Sequence, residues 1–153
     1  MIITDVKPEH LSEIQAIEKA CFSVPWPRAS LEHQINADDC VFLSALDDKG
    51  AVMGYIGLMF VLDEGYISNV AVAPEFRRRG VADALISALI ERENKTLAFL
   101  TLEVRESNLP AISLYAKHGF ITVGSRKNYY DRPKENALLM TLFFDRKEIN
   151  QCI

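Results

Sequence analysis

No stretch of this 153-residue chain is apolar for long enough to cross a bilayer as a helix. The longest nearly unbroken apolar run, Val52 to Leu62, falls short of that length and carries Gly54 and Gly57, so it reads as one or two buried strands. The N-terminal Met1-Ile2-Ile3-Thr4-Asp5-Val6 lacks a basic flank, a long apolar h-region and a small-residue cleavage pattern, which predicts a protein that is not exported. Cysteine is scarce. Cys21, Cys40 and Cys152 are odd in number and widely spaced, which suits reduced thiols in the cytoplasm better than a disulfide framework. Metal-ligand spacing is absent among these cysteines and His10, His33 and His118, so no metal is expected.

Positive charge is not in excess either. The formal net charge of −4 argues against broad nucleic-acid binding even though Arg77, Arg78 and Arg79 are consecutive. An acidic body favours a basic peptide as partner instead. No repeat, low-complexity tract or Gly-, Pro- or Ser-rich linker divides the chain, so residues 1–153 are expected to form a single domain. What is present, 49% hydrophobic and 25% charged residues, is the composition of an ordinary globular protein able to bury a sizeable core.

Periodicity predicts a strand at Ile2 to Val6 and a helix from Pro8 to Phe22 with Leu11, Ile14, Ile17 and Cys21 on one face. After a break at Pro25-Trp26-Pro27 a second helix covers about Arg28 to Ile35. Strands near Val41 to Leu46 and Val52 to Leu62 flank a turn at Asp47-Asp48-Lys49-Gly50, and Tyr66 to Ala73 is the next strand. Val81, Leu85, Ala88 and Leu89 form the apolar stripe of a helix ending near Asn94, followed by a strand from Phe99 to Val104. Asn108 caps or precedes a helix that runs to His118 and stops at Gly119. Strands near Phe120 to Lys127 and Ala137 to Phe144 complete a mixed α/β plan around one sheet.

The chemistry concentrates first in Val70-Ala71-Val72-Ala73-Pro74-Glu75-Phe76-Arg77-Arg78-Arg79-Gly80-Val81-Ala82, where an apolar strand passes through a basic turn into a helix. Helix-start amides lack intrahelical partners and sit at the positive end of the dipole, so a tight turn that aims them outward binds phosphate oxygens. Gly80 permits close backbone approach. The same residues also fit a solvated arginine run before an ordinary helix start. Neither G-x-x-x-x-G-K-[ST] nor G-x-G-x-x-G occurs, which leaves the shorter Arg77-x-x-Gly80-x-Ala82.

Glu103 stands inside the apolar strand Leu100-Thr101-Leu102-Glu103-Val104 and must be paired, hydrogen-bonded or used. The plain alternative is a solvent-facing residue or an ion pair with Arg105. Asn108 and Tyr115 are seven residues apart, a spacing that puts two helical residues within about 20° of one face. Here too plain readings exist: an N-cap for Asn108 and a core aromatic for Tyr115. Trp26 between its prolines, and Asn128-Tyr129-Tyr130, read either as the walls of a peptide groove or, for Trp26, as a core plug. Glu32, Asp38, Asp39, Asp63 and Glu64 are acidic residues that either attract a basic tail or are simply solvated.

In order, Val-Ala-Val, Arg-x-x-Gly-x-Ala, Leu-Glu-Val and Ser107-Asn108-x-x-Ala111-x-x-Leu114-Tyr115-x-x-x-Gly119-Phe120 resemble the GCN5-related N-acetyltransferase family over nearly the whole chain. Leu102-Glu103-Val104-Arg105, Arg126-x-Asn128-Tyr129-Tyr130 and Ala137-Leu138-Leu139-Met140 narrow the resemblance to the branch that acetylates the N-terminal alanine of a small-subunit ribosomal protein. The resemblance implies a single mixed, mostly antiparallel sheet of about seven strands flanked by about four helices, with splayed central strands holding acyl-CoA. Acetyl-CoA is the implied co-substrate and the N-terminus of a ribosomal protein, or another basic peptide, the implied acceptor.

Residue by residue, the resemblance puts the pantetheine arm along Val70, Ala71 and Val72, and the pyrophosphate among the amides of Arg77, Arg78, Arg79, Gly80, Val81, Ala82 and Asp83. Asn108 is implied to hydrogen-bond the pantetheine, Glu103 to act as general base and Tyr115 as general acid. Two departures stand out: Ala82 replaces a frequent second glycine, and Asp83 puts a carboxylate near the phosphates. An amine with a reference pKa near 8 must lose a proton before attack, and a phenol near 10 stays protonated for the leaving thiolate. A backbone amide in Val70 to Val72 is the candidate oxyanion donor. Transfer of acetyl to a lysine side chain or small amine, and a non-catalytic acyl-CoA sensor, are the alternative readings.

Overall fold

The computed structural model describes residues 1–144, so Cys152 lies outside the described residues. The strands are β1 (Ile2–Asp5), β2 (Cys40–Leu46), β3 (Val52–Val61), β4 (Glu64–Val72), β5 (Phe99–Arg105), β6 (Ile121–Tyr130) and β7 (Glu135–Phe143). The α-helices are α1 (Leu11–Cys21), α2 (Arg28–Asn36), α3 (Val81–Glu93) and α4 (Leu109–Lys117). This is the element order that periodicity predicts, in a seven-stranded sheet ordered β1-β2-β3-β4-β5-β7-β6. Among the described helices, none is long and apolar enough to cross a membrane. The chain builds two compact units, one from Met1–Phe60 with Ile67–Glu91, the other from Val61–Tyr66 with the described residues 92–144.

In the first unit β1, β2 and β3 are successive antiparallel neighbours, with Ile2 opposite Leu46 and Cys40 opposite Met59. The turn between β2 and β3 is set by Asp47, whose Oδ1 accepts from the amides of Lys49 and Ala51, both at 2.9 Å, while Gly50 takes a φ of 82°. Leu11, Ile14 and Ile17 of α1 and Leu31 of α2 pack with Phe42, Tyr55 and Ala71 in one core cluster. Each such apolar side chain contributes roughly 1.5–3 kcal/mol on burial. The helix expected from Pro8 begins instead as a 3-10 turn, Pro8–His10, in which His10 Nδ1 accepts the Lys7 amide at 3.0 Å. On α3 the buried apolar residues are Val81, Leu85, Ile86 and Leu89, whereas Ala88 is only half-buried, so Ile86 widens the stripe read from the sequence.

In the second unit the first three residues of β4, Glu64, Gly65 and Tyr66, pair in parallel with Phe99, Leu100 and Thr101 of β5. Along its whole length β5 is antiparallel to β7, from Phe99 opposite Phe143 to Arg105 opposite Ala137. The buried hydroxyls of Thr101 and Thr141 satisfy each other at 2.9 Å. β6 pairs with β7 on the sheet's edge and is exposed from Ile121 to Tyr129, with register breaks between Thr122 and Gly124 and between Arg126 and Tyr130. Asn108 caps α4 through its Oδ1, which accepts the Ala111 amide at 3.3 Å, and Gly119 stops the helix at a φ of 94°.

Candidate active site

The first unit carries the predicted phosphate loop. After β4 the chain makes a 3-10 turn, Pro74–Phe76, and Arg77 is extended. Arg78 and Gly80 then take φ of 62° and 76°. Turn conformations that include left-handed residues can aim neighbouring amides to one side, as an anion-binding concavity requires. No atom lies within 4 Å of where a Gly80 Cβ would stand, so that face of the loop is open. The helical ladder of α3 begins with the Ala84 amide donating to the Gly80 carbonyl at 3.0 Å, which leaves the earlier amides ahead of its first rung. Val81 is buried and fixes the helix start, while Ala82 and Asp83 are half-buried.

The three arginines differ in what they do. Arg77 folds back, its Nε 3.3 Å from the Val72 carbonyl and its Nη2 3.3 Å from Cys21 Sγ. The guanidinium of Arg79 lies 5.6 Å over the Phe76 ring, and Arg78 is exposed. The Val72 carbonyl thus already accepts from Arg77 and from the Cys21 thiol at 3.5 Å. Val70 and Val72 are half-buried and Ala71 buried.

Gly54, noted in the sequence only as an interruption of an apolar run, fixes where this part of β4 lies. A Cβ at Gly54 would stand 2.7 Å from the Ala71 carbonyl oxygen and 3.1 Å from Val81 Cγ1. A lone glycine inside a strand pattern signals such a close backbone approach. Glu18 is a functional candidate that sequence reasoning missed. It is fully buried and accepts from the Tyr55 hydroxyl, from Asn69 Nδ2 at 2.6 Å and from the Trp26 amide at 2.9 Å. Burial and the hydrogen bond to Glu18 push the Tyr55 phenol well above its ordinary range. Trp26 itself is half-buried against the core cluster, so the core-plug reading holds for part of its surface.

The second unit carries the predicted acid and base. Glu103 is half-buried on β5, opposite Leu139, and its Oε1 pairs with Arg126 Nε at 3.2 Å. Arg105, the partner in one of the plain alternatives, instead pairs with Glu135 at 3.2 Å, donates to the Pro133 carbonyl at 2.8 Å and lies 4.3 Å over the Tyr130 ring. Tyr115 is buried, its ring 5.8 Å from Phe120. Burial, with Tyr130 a lesser cause, pushes its phenol up to about 12.

Tyr130 is also pushed up to about 12, by burial first, then Tyr129 and Glu103, against an opposing effect of Arg105. It is therefore a second protonated phenol close enough to feel both Glu103 and Tyr115, where the sequence suggested only a groove wall. The shared helix face proposed for Asn108 and Tyr115 does not hold. Asn108 is the N-cap, with a non-helical φ of −82° and ψ of 69°, so helical periodicity does not extend to it. The cap uses its Oδ1, and a hydrogen bond to a ligand would come from the side-chain NH₂.

Residues 11–120, which fall in both units, match the family model described as the acetyltransferase (GNAT) family. The chain is 33% identical to the [ribosomal protein bS18]-alanine N-acetyltransferase of Escherichia coli (strain K12), over 92% of this chain and 95% of that protein. The crystal structure of the ribosomal-protein-S18-alanine N-acetyltransferase from Escherichia coli superposes with a TM-score of 0.87 at 30% identity, covering 94% of each chain. Arabidopsis thaliana NAA60, solved in complex with acetyl-CoA, shares the fold with a TM-score of 0.84 at 20% identity, covering 93% of this chain and 97% of that one. Seven strands and four α-helices among the described residues in the expected order, a helix start that opens on Gly80 and a near full-length match make this chain a member of the acetyltransferase (GNAT) family.

Proposed function

We propose that the chain transfers the acetyl group of acetyl-CoA to the α-amine of the N-terminal alanine of a small-subunit ribosomal protein. The observation that carries this reading is the 33% identity to the Escherichia coli enzyme over 92% of this chain. In this reading the first unit contributes the cofactor-holding segments. Val70, Ala71 and Val72 bind the pantetheine arm, and the amides from Arg77 to Asp83 take the pyrophosphate, which the left-handed turn residues Arg78 and Gly80 ahead of the helix start support. Asn108 also hydrogen-bonds the pantetheine, and Glu103 and Tyr115 are the proton-transfer groups.

Glu103 accepts a proton from the acceptor ammonium, directly or through one water, and the freed nitrogen attacks the thioester carbon. A backbone amide of Val70 to Val72 stabilises the oxyanion. As the C–S bond breaks the thiolate takes a proton from Tyr115, whose raised pKa keeps it protonated at neutral pH, and the second proton lost by the attacking nitrogen returns through solvent to restore the phenol. The products are an N-acetylated terminus and free coenzyme A. Transfer is direct. A covalent route through Cys40 is disfavoured because burial and then Asp39 push its thiol up, the reverse of an activated nucleophile.

The test is thiol release from acetyl-CoA with two peptides, one with a free N-terminal alanine followed by basic residues and one N-terminally blocked with an internal lysine. Turnover of the first alone, lowered at least about 10²-fold in Glu103→Gln, is expected. Turnover of the blocked peptide alone would move the activity to side chains, and silence on both despite acetyl-CoA binding would make the chain a sensor.

A further inference from the structure

Glu103 and Arg126 meet across an intervening strand. Directly opposed residues share a face, so the rows Glu103–Leu139–Gly124 and Arg105–Ala137–Arg126 run side by side over β5, β7 and β6. In the first row β6 offers Glu103 a glycine, which has no side chain to pair with it. Arg126 reaches it from the neighbouring row, where β7 supplies only the methyl of Ala137. The guanidinium spans two strand spacings, roughly 10 Å, to bring its Nε within 3.2 Å of Glu103 Oε1. Arg126 is also the last paired residue before β6 loses register, where Asn128 takes a φ of 55° and its amide donates to Asn136 Oδ1 at 2.9 Å. Irregularities of this kind beside an active site re-aim side chains.

Beside Glu103 one carboxylate and one guanidinium cancel. Within the second unit Arg105 is taken by Glu135, which also accepts the Ser107 amide at 2.7 Å. The other titratable groups that sense Glu103 are two phenols, Tyr66 on β4 and Tyr130 on β6. Both are raised, Tyr66 by the charge of Glu64 above all and Tyr130 by burial above all, so both are neutral at neutral pH. This balance bears on how an amine loses its proton. A carboxylate alone favours the charged form of a nearby ammonium, so a lone Glu103 would hold the acceptor as an ion pair and oppose the step it assists. A guanidinium keeps its charge over the whole working pH range. With Arg126 already matching the carboxylate, the arriving ammonium is the unmatched charge.

We propose that Arg126 is a positioning residue for the base: it orients the Glu103 carboxylate and supplies the fixed positive charge that drives a proton off the acceptor ammonium. The inference rests on the acetyltransferase reading above and adds a residue to it. The N–H bond breaks, the proton passes to Glu103, and the same positive charge favours its onward transfer to water, which restores the carboxylate.

The test is the pH dependence of kcat from about pH 6 to 9.5, read as thiol release by the full chain with acetyl-CoA and the alanine-initiated basic peptide both saturating. The acid limb then belongs to the Glu103–ammonium pair as a unit. Arg126→Gln can hydrogen-bond but is uncharged, and is expected to move that limb up by about one pH unit. This is the low end for a neighbouring charge, because the Arg126 side chain is 57% exposed. On the limb kcat falls up to about tenfold, and it recovers at higher pH. Arg126→Lys keeps the charge and is expected to keep the wild-type limb. A merely structural role would scale kcat equally at every pH in both variants. An unmoved limb in Arg126→Gln, or a limb that Arg126→Lys moves as far, overturns the proposal. Both changes fall on an exposed side chain of an edge strand, where the fold tolerates them. No thiol release from the wild type would instead remove the acetyltransferase reading and this proposal with it, whereas wild-type turnover with an unmoved limb removes the role of Arg126 alone.

Discussion

Glu18 and Trp26 are joined by a hydrogen bond of 2.9 Å from the Trp26 amide to a carboxylate oxygen that no solvent reaches. The same carboxylate takes the Tyr55 hydroxyl and Asn69 Nδ2, so one side chain of α1 ties the Pro25-Trp26-Pro27 break to β3 and to the residue before Val70. Buried carboxylates are tolerated only when their oxygens are satisfied, and here three donors do it.

Glu18→Ala is expected to destabilise the chain by about 3 kcal/mol, because it strands three donors in a closed space. Glu18→Gln keeps the volume but cannot accept from all three, and is expected to cost about half as much. Urea midpoints at constant slope check both. A loss under about 0.5 kcal/mol for Glu18→Ala would mean water replaces the carboxylate.

Why this network escaped sequence reading is a matter of distance along the chain. Within Ile17-Glu18-Lys19 the glutamate reads as the polar side of an amphipathic helix, and Tyr55 and Asn69 lie 37 and 51 residues away. The elements themselves were legible because hydrophobic period is a local property. Asn108 was legible as a cap for the same reason, since its partner Ala111 is three residues on. Glu103 was legible as an anomaly but its partner was not. Arg126 is brought to it because β7 inserts between β5 and β6, an order that periodicity does not encode. The nearby Arg105 was drawn off by Glu135, on that same inserted strand.

Gly54 and Gly80 are expected to fail for different reasons when changed to alanine. At Gly54 the new methyl meets the Ala71 carbonyl oxygen at 2.7 Å, which is backbone and cannot swing away, so β4 must shift. A cost of about 1–3 kcal/mol follows, with a raised KM for acetyl-CoA if Val70 to Val72 hold it. At Gly80 there is space, but a φ of 76° costs an L-residue about 1 kcal/mol. Gly80→Asn, which tolerates that region, is expected to retain more acetyl-CoA affinity than Gly80→Ala. Calorimetric titration with coenzyme A and thermal unfolding separate the two cases, and equal affinities for the Asn and Ala variants would sink the conformational explanation.

Glu103→Gln is expected to lower kcat about 10²–10⁴-fold while acetyl-CoA affinity stays unchanged, as loss of a general base does. The variant keeps an oxygen for Arg126 Nε, so the contact that holds Arg126 survives in part. Single-turnover rates with a saturating acceptor peptide measure the chemistry directly. Wild-type turnover in this variant would reduce Glu103 to a structural partner of Arg126.

Tyr115 and Tyr130 give the chain a defined alkaline limit. Both phenols are raised from the ordinary 10.0 to about 12, by burial above all. A raised value means that the folded chain holds each proton more tightly than the unfolded chain. The stabilisation is therefore complete below pH 10 and is lost as pH rises through about 12. For the buried Tyr115 this amounts to roughly 3 kcal/mol. Unfolding midpoints in urea are expected to hold steady to about pH 10 and then fall. Tyr115→Phe is expected to remove one of the late-titrating phenols and flatten the fall. Because that variant also removes the proposed proton donor, its kcat is expected to drop at neutral pH, where the stability of wild type and variant should differ little. A neutral-pH kcat equal to wild type would pass the acid role to Tyr130, which is half-buried beside Tyr115 and Glu103 and protonated over the same range.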